Sequence, residues 1–271
     1  MNLTPARLLF MQYESASMRI TLIGGPTALL EIGGMRLLTD PTFDPAGGEY
    51  GRWPVVLRKT AGPACAPQEL GPIDAVLLSH DQHADNLDNA GRKLLSRVRA
   101  VFTTEAGANR LGGNASGLAP WQSISFSENG NTIEITATPA RHGPPGIEPV
   151  TGDVTGFVVA PAGKPQETVY VTGDTVFYEG VSEVALRFPV SAIVLFAGAA
   201  CVKLRGPLHL TMNTKDAIAT ARAFPRAIVY PVHHQGWQHF TECQQDLIDA
   251  FADAGLAERL RPLELGVPVE V

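Results

Sequence analysis

The residues best suited to chemistry are histidines and aspartates that follow short apolar segments. The densest group is the segment SHDQHADNLD at 79–88, which carries five histidine and aspartate side chains within nine residues directly after the apolar run AVLL. Histidines and carboxylates at such a density are typical of a metal site. The alternative is a pair of surface histidines followed by aspartates that interact with the N-terminus of a helix. Asp88 alone fits that alternative, but the segment as a whole favours metal binding.

Three further polar residues stand where other apolar runs end. His142 follows the run 131–139, and Asp174 and His233 close two later runs. Side chains from the ends of separate strands can converge on one rim of a sheet. Imidazoles and carboxylates without thiolates suit Zn²⁺, Mn²⁺ or Fe²⁺. His142 by itself is a weak signal, since one histidine after a strand is often only a hydrogen-bonded polar residue, but Asp174, His233 and the segment 79–88 strengthen it.

Short apolar runs bounded by Gly, Pro or polar residues predict the strands that position these side chains. The predicted strands are 18–24, 35–40, 74–80, 99–104, 131–139, 156–160, 168–174, 192–198 and 227–233. Helices are predicted over 87–98, over 214–224 with Thr214 near the start, and after the capping-box spacing of Thr241 and Gln244. Strands that alternate with helices indicate an α/β protein, and continuous apolar runs suit sheets covered on both faces.

Length and composition favour one large domain. The chain has 271 residues, of which 45% are hydrophobic, and the Pro/Gly-rich stretch 139–153 divides it into two halves. Residues 1–17 precede a second methionine that opens a strand-like run, so they are either a peripheral helix or an N-terminal extension, and we assign them no function.

The net charge indicates the class of partner, and the cysteines indicate the cellular compartment. The net charge of −6 comes without a Lys/Arg cluster, which argues against nucleic acid and favours a small-molecule substrate. Cys65, Cys201 and Cys243 show no pairing pattern, so we expect a reducing, cytoplasmic location. No leader pattern and no run of about twenty apolar residues is visible, so no membrane association is expected.

The order of the motifs resembles that of the metallo-β-lactamase superfamily, in particular its lactonase-like and phosphodiesterase-like hydrolases. The motifs are TDP (39–41), SHDQHADNLD (79–88), ARHG (140–143), TGD (172–174) and PVHH (231–234), and the resemblance spans about residues 18–240. It implies a single domain over 1–271, folded as a four-layer αββα sandwich, with one or two metal ions between the sheets. Zn²⁺ is the expected ion, with Mn²⁺ and Fe²⁺ as alternatives.

The resemblance also implies a role for each motif residue. His80, His83 and His142 resemble the ligands of a first metal, Asp174 a bridging carboxylate, and Asp85 and His233 ligands of a second metal. Asp40 resembles an aspartate that orients a ligand imidazole. His234 replaces His233 if the register is shifted by one residue.

The loop departs from the family pattern at two positions. Two residues separate its histidines where the family usually has one, which leaves open whether His80 or Asp81 faces the metal. Asn86 stands where the family has a further histidine. An amide oxygen is a weaker ligand than imidazole, so Asn86 as a ligand predicts a second metal that is held less tightly than the first.

The implied activity is hydrolysis of a small ester, lactone or phosphodiester by a metal-bound hydroxide. Asp85 is the candidate to orient or deprotonate the water. His209 is the candidate donor to the transition state, although a surface histidine that caps a helix is an equally good interpretation. The alternatives are an oxidoreductase on the same metal scaffold and a metal-binding protein without catalysis.

Five further residues are candidates for substrate contacts. His239 and Trp237, with Phe240, could line a pocket, and Lys203 and Arg205 could pair with an anionic group of the substrate. The alternatives are ordinary aromatic packing and a solvated basic surface.

Overall fold

The computed structural model describes residues 18–53, 55–201 and 208–271. The predicted extension 1–17 and the predicted substrate contacts Lys203 and Arg205 therefore lie outside the described residues.

Fifteen strands are described, and most of them coincide with apolar runs of the sequence. They are β1 (Arg19–Gly24), β2 (Thr27–Ile32), β3 (Met35–Thr39), β4 (Glu49–Arg52), β5 (Val55–Arg58), β6 (Ala75–Leu77), β7 (Ala100–Thr103), β8 (Ala115–Gly117), β9 (Ser123–Glu128), β10 (Asn131–Pro139), β11 (Thr155–Pro161), β12 (Val169–Val171), β13 (Ala192–Phe196), β14 (Ile228–Val232) and β15 (Pro268–Glu270).

Six α-helices are described between them. They are α1 (Asn89–Leu95), α2 (Glu105–Leu111), α3 (Glu148–Thr151), α4 (Glu179–Arg187), α5 (Thr214–Ala223) and α6 (Gln244–Asp253). In the described part of the chain, short 3₁₀ turns lie at Pro67–Leu70, Pro165–Glu167 and Ala257–Arg259. Among the described residues, no helix has the length and apolar character that a bilayer crossing requires.

Two mixed sheets form the centre of the fold. One has the strand order β15-β1-β2-β3-β6-β7-β8 and the other the order β14-β13-β12-β11-β10-β9, while β4 and β5 form a separate hairpin. In each sheet, parallel strands stand beside antiparallel ones, as in the parallel pairs β3–β6 and β12–β13. The parallel strands bring the ends that follow Thr39, Leu77 and Val171 to the rims of the two sheets.

Three groups of buried side chains show how the layers pack. The largest group joins the facing sides of the two sheets, with residues such as Leu37 and Leu77 in contact with a cluster that includes Ile135 and Val194. A second group packs the outer face of one sheet against α4, α5 and α6, and a third packs the other sheet against α1. The predicted αββα sandwich is therefore confirmed.

The chain crosses from the first sheet to the second earlier than its composition suggests. The crossing lies between Gly117 and Ser123, whereas the stretch 139–153 connects β10 to β11 within the second sheet. The reason is that these two strands pair antiparallel along their whole length, from Ile133 opposite Pro161 to Pro139 opposite Thr155.

The start of α5 agrees with the prediction, because the helix runs from Thr214 to Ala223, whereas the start signal predicted for α6 is not the one that the structure uses. Asn213 caps α5, because its side chain accepts a hydrogen bond from Asp216 N at 2.9 Å. Likewise Cys243 precedes α6 and donates its backbone N–H to Asp246 at 2.7 Å. The hydroxyl of Thr241 donates instead to the carbonyl of Ala199, so the predicted capping box of Thr241 and Gln244 is wrong.

Candidate metal centre

The candidate site lies where polar residues follow strands of both sheets. Asp40 follows β3 and the loop 79–88 follows β6, while His142, Asp174 and His233 come from the second sheet. Two groups of donor atoms result, one of His80, His83 and His142 and one of Asp85, Asp174 and His233, and within each group the donor atoms lie within 4.8 Å of one another. The structure thus brings together six of the seven predicted metal ligands as two neighbouring sets.

The first group is formed by three imidazoles. His80 Nε2 lies 2.8 Å from His83 Nδ1, which lies 3.1 Å from His142 Nε2. Ligands of one tetrahedral ion at about 2.0–2.1 Å lie about 3.0–3.5 Å apart, so these spacings fit a common metal. Burial, and then the neighbouring histidines, lower the pKa of His80 and of His83 below the ordinary histidine value. Both rings are therefore held neutral, the form that binds metal.

A buried relay fixes the ring of His80. Ser79 Oγ lies 2.9 Å from His80 Nδ1 and donates to Asp40 Oδ2 at 2.6 Å, and Ser79 N donates to Asp40 Oδ1 at 2.6 Å. Because the hydroxyl of Ser79 donates its hydrogen bond to Asp40, Ser79 Oγ accepts one from His80 Nδ1–H. The lone pair on His80 Nε2 is then free for a metal. Burial raises the pKa of Asp40 to about 7 despite these hydrogen bonds. Asp40 thus orients His80 through Ser79, a residue that we did not select from the sequence although it precedes His80.

The extra residue of the loop is accommodated by turning Asp81 away from the site. Its carboxylate receives hydrogen bonds from the Arg110 guanidinium of α2 at 2.5–3.1 Å, and its carbonyl accepts one from Arg92 of α1. The residue that joins the imidazole group is His80. Gln82 also turns aside, because its amide lies beside Gly152.

His142 is oriented by a backbone carbonyl. Its Nδ1 lies 3.0 Å from the oxygen of Leu210. Since a carbonyl only accepts, Nδ1 carries the proton and Nε2 presents a lone pair to the first group.

The second group combines two carboxylates and one imidazole, all buried. His233 Nε2 lies 3.2 Å from Asp174 Oδ1 and 3.6 Å from Asp85 Oδ2. Burial alone would raise the pKa of Asp85 and of Asp174, but the histidines around them, chiefly His239 and His233 respectively, lower both below the ordinary range. Burial would lower the pKa of His233, but Asp174 and Asp85 raise it. The carboxylates are thus held ionised, ready to balance a cation.

Asp174 stands between the two groups. Its Oδ1 faces His233 at 3.2 Å, and its Oδ2 lies 3.7 Å from His142 Nε2 in the first group. One carboxylate oxygen is therefore directed at each set of ligands.

Several buried polar atoms of the site have no hydrogen-bond partner. Among the described residues these include Asp85 Oδ1, Asp174 Oδ1, Asn86 Oδ1 and both ring nitrogens of His233. Buried polar atoms without a partner are costly, and most native ones are satisfied. Their convergence in one place fits a metal centre, where cations would satisfy them.

The remaining predicted residues are placed as follows. Asn86 Nδ2 donates to Asp40 at 3.1 Å. His239 Nε2 lies 2.9 Å from Asp85 Oδ2, so His239 adjoins the second group. Trp237 is buried, with its ring 5.3 Å from that of Tyr50 and 5.4 Å from Lys59 Nζ. His234 is buried next to His233, but it is His233 that joins the second group.

His209 has other partners. Its Nε2 lies 3.1 Å from Asp216 Oδ2 and 3.4 Å from Asn213 Nδ2, at the start of α5. These contacts favour the helix-terminal interpretation, and a role as donor to the transition state stays a prediction.

Asp88 takes the structural role considered for it. It caps α1 by accepting from Gly91 N at 2.9 Å, and it also accepts from the backbone of Phe43 and Asp44. Lys59 Nζ pairs with it at 2.8 Å, and both side chains are almost completely buried. This pair, which the sequence did not suggest, ties the segment after β5 to the helix that follows the ligand loop.

A cavity of about 340 Å³ opens beside the first group. His142 lines it, together with Glu105 of α2, Glu148 of α3, Thr155 of β11 and the loop residues Arg141 and Asp153. It offers space for a small molecule next to the ligands.

Known proteins resemble this chain both in sequence and in structure. The sequence model described as the beta-lactamase superfamily domain matches residues 35–234. A curated relative, UPF0173 protein YddR of Bacillus subtilis (strain 168), is 26% identical over 253 residues, which cover 90% of this chain and 96% of the relative.

Two solved structures have a closely similar fold. One is described as isothiocyanate hydrolase from Delia radicum gut bacteria, with a TM-score of 0.80 and 22% identity, covering 94% of this chain and 99% of that one. The other is described as a possible metal-dependent hydrolase from Veillonella parvula DSM 2008, with a TM-score of 0.79 and 22% identity, covering 94% and 100% of the two chains. At this identity the likeness establishes the fold.

Proposed function

Because this chain belongs to the metallo-β-lactamase superfamily, we propose that it is a metal-dependent hydrolase of a small ester, lactone or phosphodiester. The observation that carries the proposal is the position of Asp174, with one carboxylate oxygen 3.7 Å from His142 and the other 3.2 Å from His233. A carboxylate directed at two ligand groups is what a centre for two ions requires.

Each of the two groups would bind one metal ion. His80, His83 and His142 would hold one ion, and Asp85, Asp174 and His233 the other, with Zn²⁺ as the expected metal and Mn²⁺ or Fe²⁺ as alternatives. When bound, such ions supply a Lewis acid and make hydroxide available near neutral pH. Asp85, whose pKa is lowered by its histidine neighbours, would orient the attacking water as a carboxylate.

The substrate would enter through the cavity beside His142. Its volume of about 340 Å³ suits a small molecule rather than a polymer. That the substrate is anionic stays a prediction, because Lys203 and Arg205, which would pair with its charge, lie outside the described residues.

We also propose that the protein is cytoplasmic. Cys65, Cys201 and Cys243 all lie among the described residues and form no disulfide with one another. That is the pattern of a reducing compartment.

The test is metal content followed by a substrate screen. Protein purified without added metal would be analysed for bound elements and assayed with lactones, carboxylic esters, phosphodiesters and isothiocyanates, the last suggested by the name of the gut-bacterial neighbour. We expect stoichiometric metal and hydrolysis of at least one class, lost after chelation. Bound metal without turnover of any class would favour the non-catalytic alternative.

A further inference from the structure

The amide of Asn86 is committed to neighbours of the centre. Its Nδ2 donates to Asp40 Oδ2 at 3.1 Å and lies 3.5 Å from Ser79 Oγ. Asn86 therefore helps to hold Asp40, and only its neutral Oδ1 remains for a metal, as a weak ligand. The second group, Asp85, Asp174 and His233, lacks a strong fourth donor from this position.

Another imidazole reaches that group from the loop after β14. His239 Nε2 lies 2.9 Å from Asp85 Oδ2, the same oxygen that lies 3.6 Å from His233 Nε2. The side chain of His239 is only 10% exposed, and its Nδ1 is buried without a hydrogen-bond partner. Asp85 Oδ2 thus lies between two imidazoles, that of His233 and that of His239.

The backbone fixes His239 from both sides. The carbonyl of His239 accepts from Cys201 N at 2.9 Å, and the preceding Gln238 N donates to Arg58 O at 2.9 Å. Its ring lies against that of Phe240, with the centroids 4.7 Å apart. A donor held on a rigid loop in this way is preorganised for binding.

We propose that His239 is a ligand of the second metal and supplies the imidazole that Asn86 does not. The inference rests on the proposed metal-dependent function. The spacing of 2.9 Å between His239 and Asp85 is close to the 2.8 and 3.1 Å between the imidazoles of the first group. The second group then has two imidazoles and two carboxylates, a complete set of four for zinc.

The decisive experiment separates a ligand from a residue that only orients Asp85. Metal-free wild type, His239→Ala and His239→Gln would be titrated with Zn²⁺ alone by equilibrium dialysis and elemental analysis. Glutamine can still donate an N–H to Asp85 but offers only a weak oxygen ligand. If His239 is a ligand, both variants should keep one tightly bound ion and bind the second ion at least about tenfold more weakly than wild type. Wild-type binding by His239→Gln would overturn the assignment.

A matched control removes an imidazole outside the two groups. His209→Ala should keep both ions, because His209 contacts Asp216 and Asn213. Circular dichroism of each metal-free variant checks folding, and the glutamine variant preserves the bulk of the side chain should alanine fail to fold.

A second measurement does not depend on the stability of the His239 variants. If His239 completes the group, Asn86→His adds nothing to the affinity of the second ion, whereas Asn86 as the native ligand predicts a gain. A selective gain in Asn86→His would therefore overturn the inference. Wild type that binds no Zn²⁺ would sink the proposed function itself. Two ions retained equally by wild type and both His239 variants would reject only the role of His239.

Discussion

Ser79 Oγ lies 2.9 Å from His80 Nδ1 and donates a hydrogen bond to Asp40 Oδ2 at 2.6 Å. These hydrogen bonds fix the ring of His80, a candidate ligand in a loop that has one residue more than the family pattern. Orientation of the imidazole therefore depends on a hydroxyl that touches no metal.

Substituting Ser79→Ala should weaken metal binding while preserving the fold. Without the hydroxyl, His80 loses the partner of Nδ1, and we expect metal affinity to fall about 10–100-fold. Asp40 loses one of its hydrogen bonds, so stability should fall by about 1–3 kcal/mol. Zn²⁺ titration and urea unfolding measure both effects. Ser116→Ala, on the exposed face of the edge strand β8, is the control. Unchanged affinity in Ser79→Ala would show that the relay is dispensable.

The ligand positions could be predicted because they combine two local signals, a strand end and a ligating side chain. His142, Asp174 and His233 each follow a run of buried apolar residues, so the topology had only to bring those ends together. The choice between His80 and Asp81 needed the structure, because the pairing of Asp81 with Arg110 joins residues 29 positions apart. For the same reason the sequence could not reveal the approach of His239 to Asp85.

The fold was predictable in its strands and less so in its short helices. The continuous apolar runs of β12 and β13 identify buried strands, since both faces are covered. Strand β9, SISFSE, alternates between polar and apolar residues at a partly exposed edge, and α2 begins directly after β7 with Thr104 as its cap. Such elements contain few apolar residues, so their burial alone does not identify them, and tertiary pairing decides their conformation.

Asp174→Ala and His142→Ala should differ in how much metal they lose. Asp174 faces both ligand groups, whereas His142 belongs to the first only. We expect Asp174→Ala to weaken binding of both ions and His142→Ala to weaken one, with native circular dichroism in each, because both residues follow strands rather than fill the core. Elemental analysis after gel filtration measures the loss. Wild-type metal content in both variants would contradict the site.

Chelation should abolish activity reversibly. The donor set contains no thiolate, so the ligands survive removal of the metal without oxidation. Dialysis against a chelator should remove the hydrolytic activity, and Zn²⁺ or Mn²⁺ should restore it. Activity that persists when elemental analysis finds no metal would exclude the proposed function.

Acid should release the metal over a defined pH range. Burial lowers the pKa of His80 and of His83 below the ordinary histidine value. Protons therefore compete with the metal only below the ordinary histidine pKa of about 6.5. Metal content and activity should hold from neutral pH down to that point and fall together below it. Release that is already complete near pH 7 would contradict the neutral state assigned to these rings.

The buried pair of Lys59 and Asp88 should contribute far more to stability than the exposed pair next to it. Lys59→Met leaves the carboxylate of Asp88 buried without its cation, and breaking such a pair typically costs about 3–5 kcal/mol. Because Asp88 keeps three backbone N–H donors, we expect a loss near the lower end of that range.

The neighbouring residue supplies the matched control. Arg58 pairs with Glu49 at 2.7 Å, but both side chains are more than half exposed. Arg58→Met should therefore cost less than about 1 kcal/mol, because solvent screens the pair. Urea unfolding of the two variants beside wild type measures the difference. Since Asp88 caps α1 directly after the ligand loop, Lys59→Met should also lower Zn²⁺ affinity, while Arg58→Met should not. Equal losses of stability in the two variants would show that the buried pair of Lys59 and Asp88 contributes no more to stability than the exposed pair.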